Sequence, residues 1–555
     1  MKCKLNWIFP LLTTTILLGT LYSCKSQPLS KKKNFTRQDT LRGTITPERA
    51  WWNATSYVLE VEPNLITRNI EGSNQLSFTA LETGSKMQID LQQPMNISSV
   101  QYLGKPLSFE RDGNVYYLSF PSPIAKNTRG TINIQFEGQP RQAVNPPWDG
   151  GWIWSKDSLG NPWVSVACQG LGASVWYPCK DHQSDEPDSA RLTIIVPDSL
   201  VAVGNGLLAK KVSKGRNRTA WTWAVSNPIN SYNIIPYIGK YAHFTNTYIG
   251  EKGNLNCSFW VLKYNLDKAK QHFEEVPKML QCFENWFGPY PFYEDGYKLV
   301  ESPHLGMEHQ SAVAYGNKYM QGYLGKDLSG TGWGLKWDYI TIHESGHEWF
   351  ANNITTNDIA DMWVHEGFTT YSEVIYTECN SGKEAANEYV QGLRRGISNT
   401  KPVIGIYGVN QEGSGDMYPK GANLIHTIRQ IINDDEKFRQ ILRGLNKEFY
   451  HQTINSADIE RYISKESGID LTNVFDQYLR NTTVPVLEYK VSDKGMEYRW
   501  ANTIDKFDMP VTITAGKSIQ INPKTSWQIL KSDEGIHFTT VKADPNYYIT
   551  TKKVN

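Results

Sequence analysis

The sequence predicts a multidomain α+β protein in which a helical middle region lies between two β-rich regions. Three observations support this fold class. The chain has 555 residues, more than a single hydrophobic core usually serves. Short β-branched runs punctuated by turn residues fill residues 45–245 and return after about Pro485. Between them, apolar residues recur at the spacings of three and four that are typical of helices.

The N-terminus has the features of a targeting segment. Lys2 and Lys4 precede an apolar stretch, residues 7–18, that is too short for a comfortable membrane-spanning helix. Residues 21–24 read Leu-Tyr-Ser-Cys, which resembles a bacterial lipobox. The resemblance implies cleavage before Cys24, lipidation of its thiol, and an exported lipoprotein anchored to a membrane and facing the periplasm or the cell surface. An ordinary secretory signal is the alternative.

The pattern of composition and periodicity divides the chain into segments. We predict the following five: a signal peptide (1–23), a flexible tether rich in polar residues (24–44), an N-terminal β-domain (45–245), a catalytic domain (246–483) and a small C-terminal β-sandwich-like domain (484–555).

Charge and cysteine content exclude some classes of function. The 57 Lys and Arg residues are balanced by 56 Asp and Glu, a net charge of +1, so no strong field attracts nucleic acid. Outside the targeting segment there are five cysteines and no CxxC pair, which argues against a cysteine zinc site. An odd number leaves at least one thiol unpaired. Cys168 and Cys179 pair in an oxidising compartment or remain as two buried thiols; the sequence leaves both open.

Four helices are predicted in the middle region. The apolar pattern of residues 266–287 predicts a helix with a kink or a break at Pro277. Two more are expected at 339–352 and 363–378, and a fourth opens at Pro419, a residue suited to a first helical turn.

The predicted helix at 339–352 contains the motif His-Glu-Ser-Gly-His, residues 343–347. Residues four apart lie on one helical face, so His343 and His347 converge. Glu366 follows 19 residues later, far enough for a second helix to return a carboxylate. Two imidazoles, one carboxylate and an open position are what a catalytic zinc ion needs, so we expect one Zn²⁺ per chain. Glu344 then serves as general base for metal-assisted hydrolysis.

Further motifs carry a resemblance to a known family. Residues 304–309 (HLGMEH) resemble the GxMEN motif of the M1 metallopeptidases, the gluzincin aminopeptidases. The 18-residue gap between His347 and Glu366 matches that family, as does the run MYPKGA at 417–422. The resemblance covers roughly residues 45–555. It implies a thermolysin-like zinc catalytic domain between the two β-rich regions.

The resemblance also implies roles for individual residues. Glu308 is expected to bind the free α-amino group of a peptide, helped by Gln169 from the β-domain. Gly306 and Met307 are expected to contact substrate. Tyr418 is expected to donate its phenol to the oxyanion of the tetrahedral intermediate, a contact worth about 3 kcal/mol. The implied function is a zinc-dependent aminopeptidase acting on peptides with a free N-terminus.

The match has departures, and other functions stay open. Leu305 and His309 stand where the family motif has Gly and Asn, and His365 replaces the usual Asn before the zinc glutamate. Glu373 either orients a ligand histidine or is a solvated helix charge. A zinc endopeptidase and a non-catalytic, peptide-binding lipoprotein are the alternative functions. The sequence leaves the preferred N-terminal residue and the oligomeric state open.

Overall fold

The computed structural model describes residues 35–492, 495–531, 538 and 541–554. The predicted signal peptide and Cys24 lie outside these residues. The helices are as follows: α1 Arg37–Gly43, α2 Pro47–Ala50, α3 Leu266–His272, α4 Val276–Phe287, α5 Tyr339–Gly346, α6 Trp363–Ser381, α7 Lys383–Leu393, α8 Pro419–Ile432, α9 Asp435–Glu448, α10 Ser456–Ser467 and α11 Thr472–Leu479. Within the described ranges, no helix is long and apolar enough to cross a membrane.

The N-terminal region is built almost entirely of strands. They are as follows: β1 Trp52–Pro63, β2 Ile70–Ala80, β3 Gly84–Asp90, β4 Asn96–Tyr102, β5 Lys105–Pro106, β6 Ser108–Asp112, β7 Val115–Ile124, β8 Arg129–Gly138, β9 Gly151–Lys156, β10 Pro162–Ala167, β11 Ser189–Pro197, β12 Val201–Val203, β13 Leu207–Gly215, β14 Arg218–Val225 and β15 Tyr237–Gly239. An eight-stranded sheet runs β13-β14-β11-β1-β2-β8-β4-β5, beside sheets β12-β15-β10-β9 and β3-β7-β6. One face is consistently buried: β1 alternates buried and partly exposed residues along most of its length.

The middle region combines a five-stranded sheet with most of the helices. Its strands are as follows: β16 Tyr241–Gly250, β17 Gly253–Leu262, β18 Tyr297–Glu301, β19 Gly306–Met307, β20 Val313–Tyr315, β21 Ile354–Thr356 and β22 Gln452–Ile454. The sheet order is β16-β17-β18-β20-β19, so the short strand β19 lies at the edge. An edge strand leaves backbone groups without sheet partners, and here that edge faces the site described below.

The C-terminal region returns to strands, as predicted. They are as follows: β23 Val486–Ser492, β24 Gly495–Ala501, β25 Val511–Ala515, β26 Lys517–Ile521, β27 Gln528–Leu530, β28 Lys542–Ala543 and β29 Thr550–Lys553. They form two small sheets, β27-β24-β23-β29 and β26-β25-β28. Trp500 and Ile513 from these sheets share one hydrophobic core with the helices of the middle region. The predicted α+β class with β-rich ends and a helical middle is confirmed.

The helix predictions are confirmed in kind and corrected in extent. Of the kink and the break left open, the structure shows a break, placed just before Pro277: α3 ends at His272, a 3₁₀ turn follows, and Pro277 lies in the first turn of α4. The motif helix is shorter than the predicted 339–352. It ends at Gly346, and the backbone leaves helical geometry at Phe350 and Ala351. The Phe350 carbonyl turns back to accept a hydrogen bond from His347 Nδ1 at 3.0 Å, which accounts for the early end.

The predicted tether does not extend to residue 44. Residues 37–43 form α1, which is capped by the Thr36 side chain. Leu41 is buried, and Arg42 pairs with Asp181 of the β-domain at 2.7 Å. The polar composition suggested a solvated segment, but one buried leucine and one ion pair are enough to dock a short helix.

Of the two alternatives left open for Cys168 and Cys179, the structure shows the one with two buried, unpaired thiols. Cys168, Cys179 and Cys257 are free and buried. A disulfide joins Cys282 of α4 to Cys379 of α6, 97 residues apart. No local pattern selects this pair, because the contact depends on how α4 and α6 pack.

Candidate metal centre

Two helices bring the predicted metal ligands together. Asp338 caps α5 by accepting a hydrogen bond from the Thr341 backbone at 2.9 Å, and α5 then presents the two histidines on one face. Glu366 lies in the first turn of α6. Its Oε2 atom is 3.6 Å from His343 Nε2 and 3.3 Å from His347 Nε2. All three side chains are buried.

The second nitrogen of each histidine is held by a partner behind the site. His343 Nδ1 lies 2.7 Å from Glu373 Oε1, and Tyr389 donates its hydroxyl to the other oxygen of that carboxylate at 2.6 Å. His347 Nδ1 lies 3.0 Å from the Phe350 carbonyl. A protonated Nδ1 leaves the Nε2 lone pair free, so both rings are oriented to coordinate a metal. Glu373 is buried, which removes the alternative of a solvated helix charge.

The donor set fits a zinc ion. Glu366 Oε2 is buried and has no hydrogen-bond partner among the described residues, although it lies between two imidazole nitrogens. A cation at that position would satisfy it. A second group, Glu308, Glu344 and His347, also converges. Its Glu308 oxygen already accepts two hydrogen bonds, so the set with two imidazoles and Glu366 fits zinc better.

Glu344 lies beside the ligands and against the edge strand β19. A Cβ atom at Gly306 would lie only 2.5 Å from Glu344 Oε1, so the glycine provides the space that the carboxylate occupies. Burial raises the pKa of Glu344 to about 7, although the two neighbouring histidines oppose that rise. The side chain is thus positioned to exchange a proton with a group bound at the metal site.

Glu308 is held by two donors from the N-terminal β-domain. Gln169 Nε2 donates to Glu308 Oε1 at 2.5 Å, and the Tyr232 hydroxyl donates to the same oxygen at 2.9 Å. Asn352 fixes the backbone by donating to the Glu308 carbonyl at 2.9 Å. Burial raises the pKa of Glu308, and no described Lys or Arg pairs with it. The carboxylate is oriented but lacks a counter-ion.

These groups line one cleft of about 840 Å³ between the β-domain and the middle region. Met307 and Tyr418 also line it, and Trp148 at its rim is 66% exposed. The Tyr418 ring centroid lies 6.1 Å from that of His343, and burial raises the pKa of the phenol well above its usual value. Among the described lining residues none is Lys or Arg, whereas five are acidic: Asp149, Glu308, Glu344, Glu366 and Glu412.

The three departures from the family motif occupy different surroundings. Leu305 lines the cleft beside Gly306. His309 is buried, with Nδ1 next to the Tyr237 hydroxyl at 2.5 Å. His365 accepts a hydrogen bond from the Thr356 backbone at 2.9 Å, and burial lowers its pKa to about 3. Both histidines are therefore packed, neutral side chains outside the cleft lining.

Sequence reasoning missed the supporting residues. Tyr232, Tyr389 and Asn352 each hold a site residue, yet they lie 76, 16 and 44 positions from their partners. No motif of fixed spacing marks them. Their roles depend on tertiary contacts, and the contact of Tyr232 with Glu308 crosses between the β-domain and the middle region.

Comparison with known proteins agrees with this geometry. Residues 271–478 match the peptidase family M1 domain. Aminopeptidase M1-B of Oryza sativa subsp. japonica is 23% identical over 340 residues, which are 59% of this chain and 38% of that protein. Leukotriene A-4 hydrolase of Xenopus laevis is 21% identical, over 75% of this chain and 68% of that protein. Aminopeptidase B of Rattus norvegicus is 22% identical, over 73% of this chain and 64% of that protein.

Solved structures show the same fold. A mutant M1 zinc metallopeptidase from Deinococcus radiodurans, bound to a Tyr-Ser-Ala substrate, superposes with a TM-score of 0.67 at 19% identity. The match covers 80% of this chain and 98% of that one. The chain spans only 38% to 68% of the length of the three relatives above. The segment that matches the peptidase family M1 domain, residues 271–478, holds both histidines, Glu366 and Tyr418.

Proposed function

We propose that this protein is a zinc-dependent aminopeptidase that removes the N-terminal residue from peptides. The observation that carries the proposal is one cleft in which a buried carboxylate without a counter-ion, Glu308, lies near a zinc-type donor set. A free α-ammonium group pairs with such a carboxylate through short, charge-assisted hydrogen bonds. An internal peptide bond offers no ammonium and leaves the charge unpaired. Two of the similar proteins, from Oryza sativa subsp. japonica and Rattus norvegicus, are named aminopeptidases, and this supports the proposal.

The residues of the cleft divide the chemistry among them. His343, His347 and Glu366 would hold the zinc ion. When bound, zinc supplies a Lewis acid that polarises the scissile carbonyl and lowers the pKa of a water molecule. Glu344 accepts a proton from the attacking water and returns it to the leaving amine. Tyr418 donates its hydroxyl to the developing oxyanion.

The substrate amine is bound beside the metal ligands, because Glu308 converges with Glu344 and His347 to within 4.8 Å. Glu308 supplies the negative charge, and the Gln169 amide oxygen, which makes no hydrogen bond among the described residues, accepts a further ammonium proton. Gly306 and Met307 lie along the edge strand β19, where backbone groups can pair with an extended peptide. The acidic lining gives an anionic substrate no partner, which favours a cationic N-terminus.

A panel of aminoacyl-anilides and their N-acetylated forms tests the proposal. Glu344→Gln is expected to abolish cleavage, and Glu308→Gln to raise KM strongly for free amines. Glu412→Gln is the matched control, because it removes an acid from the same cleft without touching either role. Cleavage of acetylated substrates at equal rates would favour an endopeptidase. Tight zinc and peptide binding without cleavage would favour a binding protein.

The predicted membrane anchor is a separate part of the proposal. Its support is the lipobox-like sequence ending at Cys24. Expression of the full chain with Cys24→Ser is expected to move the protein from the membrane fraction to the soluble fraction. Unchanged fractionation, or absence of a lipid adduct by mass spectrometry of the mature N-terminus, would overturn the anchor and leave the aminopeptidase proposal intact.

A further inference from the structure

The first helix of the described chain packs against the back of the substrate cleft. Two loops form the relevant wall. We call residues 169–172 the amine loop, because it carries Gln169, and residues 408–411 the wall loop. Both loops contain residues that line the cleft. They contact each other through Asn410, whose side chain donates to the Gly170 carbonyl at 3.0 Å.

Arg42, near the end of α1, fixes the amine loop from behind. Its guanidinium pairs with Asp181 Oδ2 at 2.7 Å and donates to the Asp181 carbonyl. The same carboxylate accepts from the Ser174 backbone at 3.0 Å, just after the loop. A Cβ atom at Gly172 would lie 2.0 Å from Arg42 Nη2 and 2.2 Å from Asp181 Oδ2. The ion pair therefore lies flat against loop backbone that only glycine permits.

Gly43, the last residue of α1, touches the wall loop in the same way. A Cβ atom there would lie 2.3 Å from the Asn410 backbone nitrogen. Arg49 stabilises the end of the helix by donating to the Thr44 carbonyl at 2.9 Å, and it forms an ion pair with Asp90 at 2.6 Å. Arg49 is fully buried, so α1 is held by a buried charge network at its C-terminal end.

We infer that α1 positions the amine-binding side of the cleft, with Arg42 as the positioning residue that acts through Gln169. The inference rests on the proposed function, since it concerns the binding of the substrate ammonium. Arg42 is not among the residues that line the cleft, so we expect its effect to pass through the two loops. Loss of the guanidinium frees the amine loop to move while the metal-binding helices α5 and α6 keep their contacts.

The first experiment compares Arg42→Met with Arg37→Met. Arg37 lies on the same helix but forms an exposed ion pair with Asp112 away from both loops. We expect Arg42→Met to raise KM for aminoacyl-anilides about ten-fold with kcat within about two-fold, the pattern of lost ground-state binding. Arg37→Met should leave both constants unchanged. Arg42→Lys keeps the positive charge but not the second donor of the guanidinium, so its KM should lie between those of the wild type and Arg42→Met.

A double-mutant cycle separates positioning from general stabilisation. If Arg42 acts through Gln169, Arg42→Met should add little to the KM of Gln169→Ala. Independent, multiplicative effects, or an unchanged KM in folded Arg42→Met, would overturn the inference. Should Arg42→Met fail to fold, Gly43→Ala replaces it, because its methyl group displaces the wall loop; unchanged KM in that variant would overturn the inference equally.

The two proposals fail in distinguishable ways. If Glu344→Gln and Glu308→Gln retain full activity, the proposed function is wrong whatever α1 does. If those variants lose activity while Gln169→Ala keeps the wild-type KM, the aminopeptidase stands and the role of α1 is wrong.

Discussion

Replacement of Glu373 tests whether the site is built around a metal. Its carboxylate lies 2.7 Å from His343 Nδ1 and accepts the Tyr389 hydroxyl at 2.6 Å, all within buried surroundings. A hydrogen bond to a charged group contributes about 1.5–3 kcal/mol. At about 1.4 kcal/mol per factor of ten, its loss predicts a decrease of about 10- to 100-fold in zinc affinity.

A graded series of variants makes the test specific. Glu373→Ala removes the contacts with both His343 and Tyr389 and should show the full loss of zinc affinity. Glu373→Gln keeps a hydrogen-bond acceptor for His343 but removes the charge. Tyr389→Phe leaves the contact between Glu373 and His343 intact. Both variants should therefore lose less zinc affinity than Glu373→Ala. Competition with a chromogenic zinc chelator measures the affinity directly, without reference to activity. An affinity of Glu373→Ala within two-fold of wild type would refute the reasoning, because His343 would then need no orienting partner.

Three further predictions concern catalysis and stability. Gly306→Ala should lower kcat, because the new methyl group would lie 2.5 Å from Glu344 Oε1 and displace the proposed base; steady-state kinetics measures this. Burial raises the pKa of Asp361 to about 7 in the folded state, above its value in the unfolded chain. Between those two values, the folded protein keeps a proton on this carboxyl that the unfolded chain has lost. The free energy of unfolding should therefore fall as pH rises from about 4 to about 7, and Asp361→Asn should flatten that fall in urea titrations at several pH values. Replacing Cys282 and Cys379 with Ser should lower the free energy of unfolding by about 2–4 kcal/mol, measured by denaturant titration under non-reducing conditions.

Each of these has a result that contradicts it. A wild-type kcat in Gly306→Ala would mean that the base can move without cost. Identical pH profiles for Asp361→Asn and wild type would remove Asp361 as the titrating group. An unchanged midpoint on loss of the disulfide would mean that the packing of α4 against α6 needs no covalent link.

Much of the site was predictable because its residues are close in sequence or carry a motif. His343 and His347 are one helical turn apart, so the helix alone brings them together. Glu366 follows after an interval that one reversal of the chain can span, and α6 does return it. Glu308 and Tyr418 belonged to runs that resemble family motifs, and both line the cleft. Gln169, expected from the same resemblance, also contacts Glu308.

Local pattern misled in places where a few contacts outweigh composition. Residues 37–43 have the polarity of a tether, but Leu41 and Arg42 dock them as a helix. The motif helix has helical periodicity to residue 352, yet it ends at Gly346 because His347 takes the Phe350 carbonyl as a partner. In both cases one tertiary or capping contact decided the outcome.

The sequence by itself predicted the fold class, the proposed metal ligands and the proposed base, because periodicity and short-range spacing indicate which side chains share a helical face and which carboxylate one reversal of the chain can return. Only the tertiary structure decided what holds those side chains in place. Tyr232, Tyr389 and Arg42 contact partners that are 76, 16 and 139 residues away, and the Cys282–Cys379 bond spans 97. Contacts at such separations depend on how sheets and helices pack, and no local pattern in a single sequence records that packing.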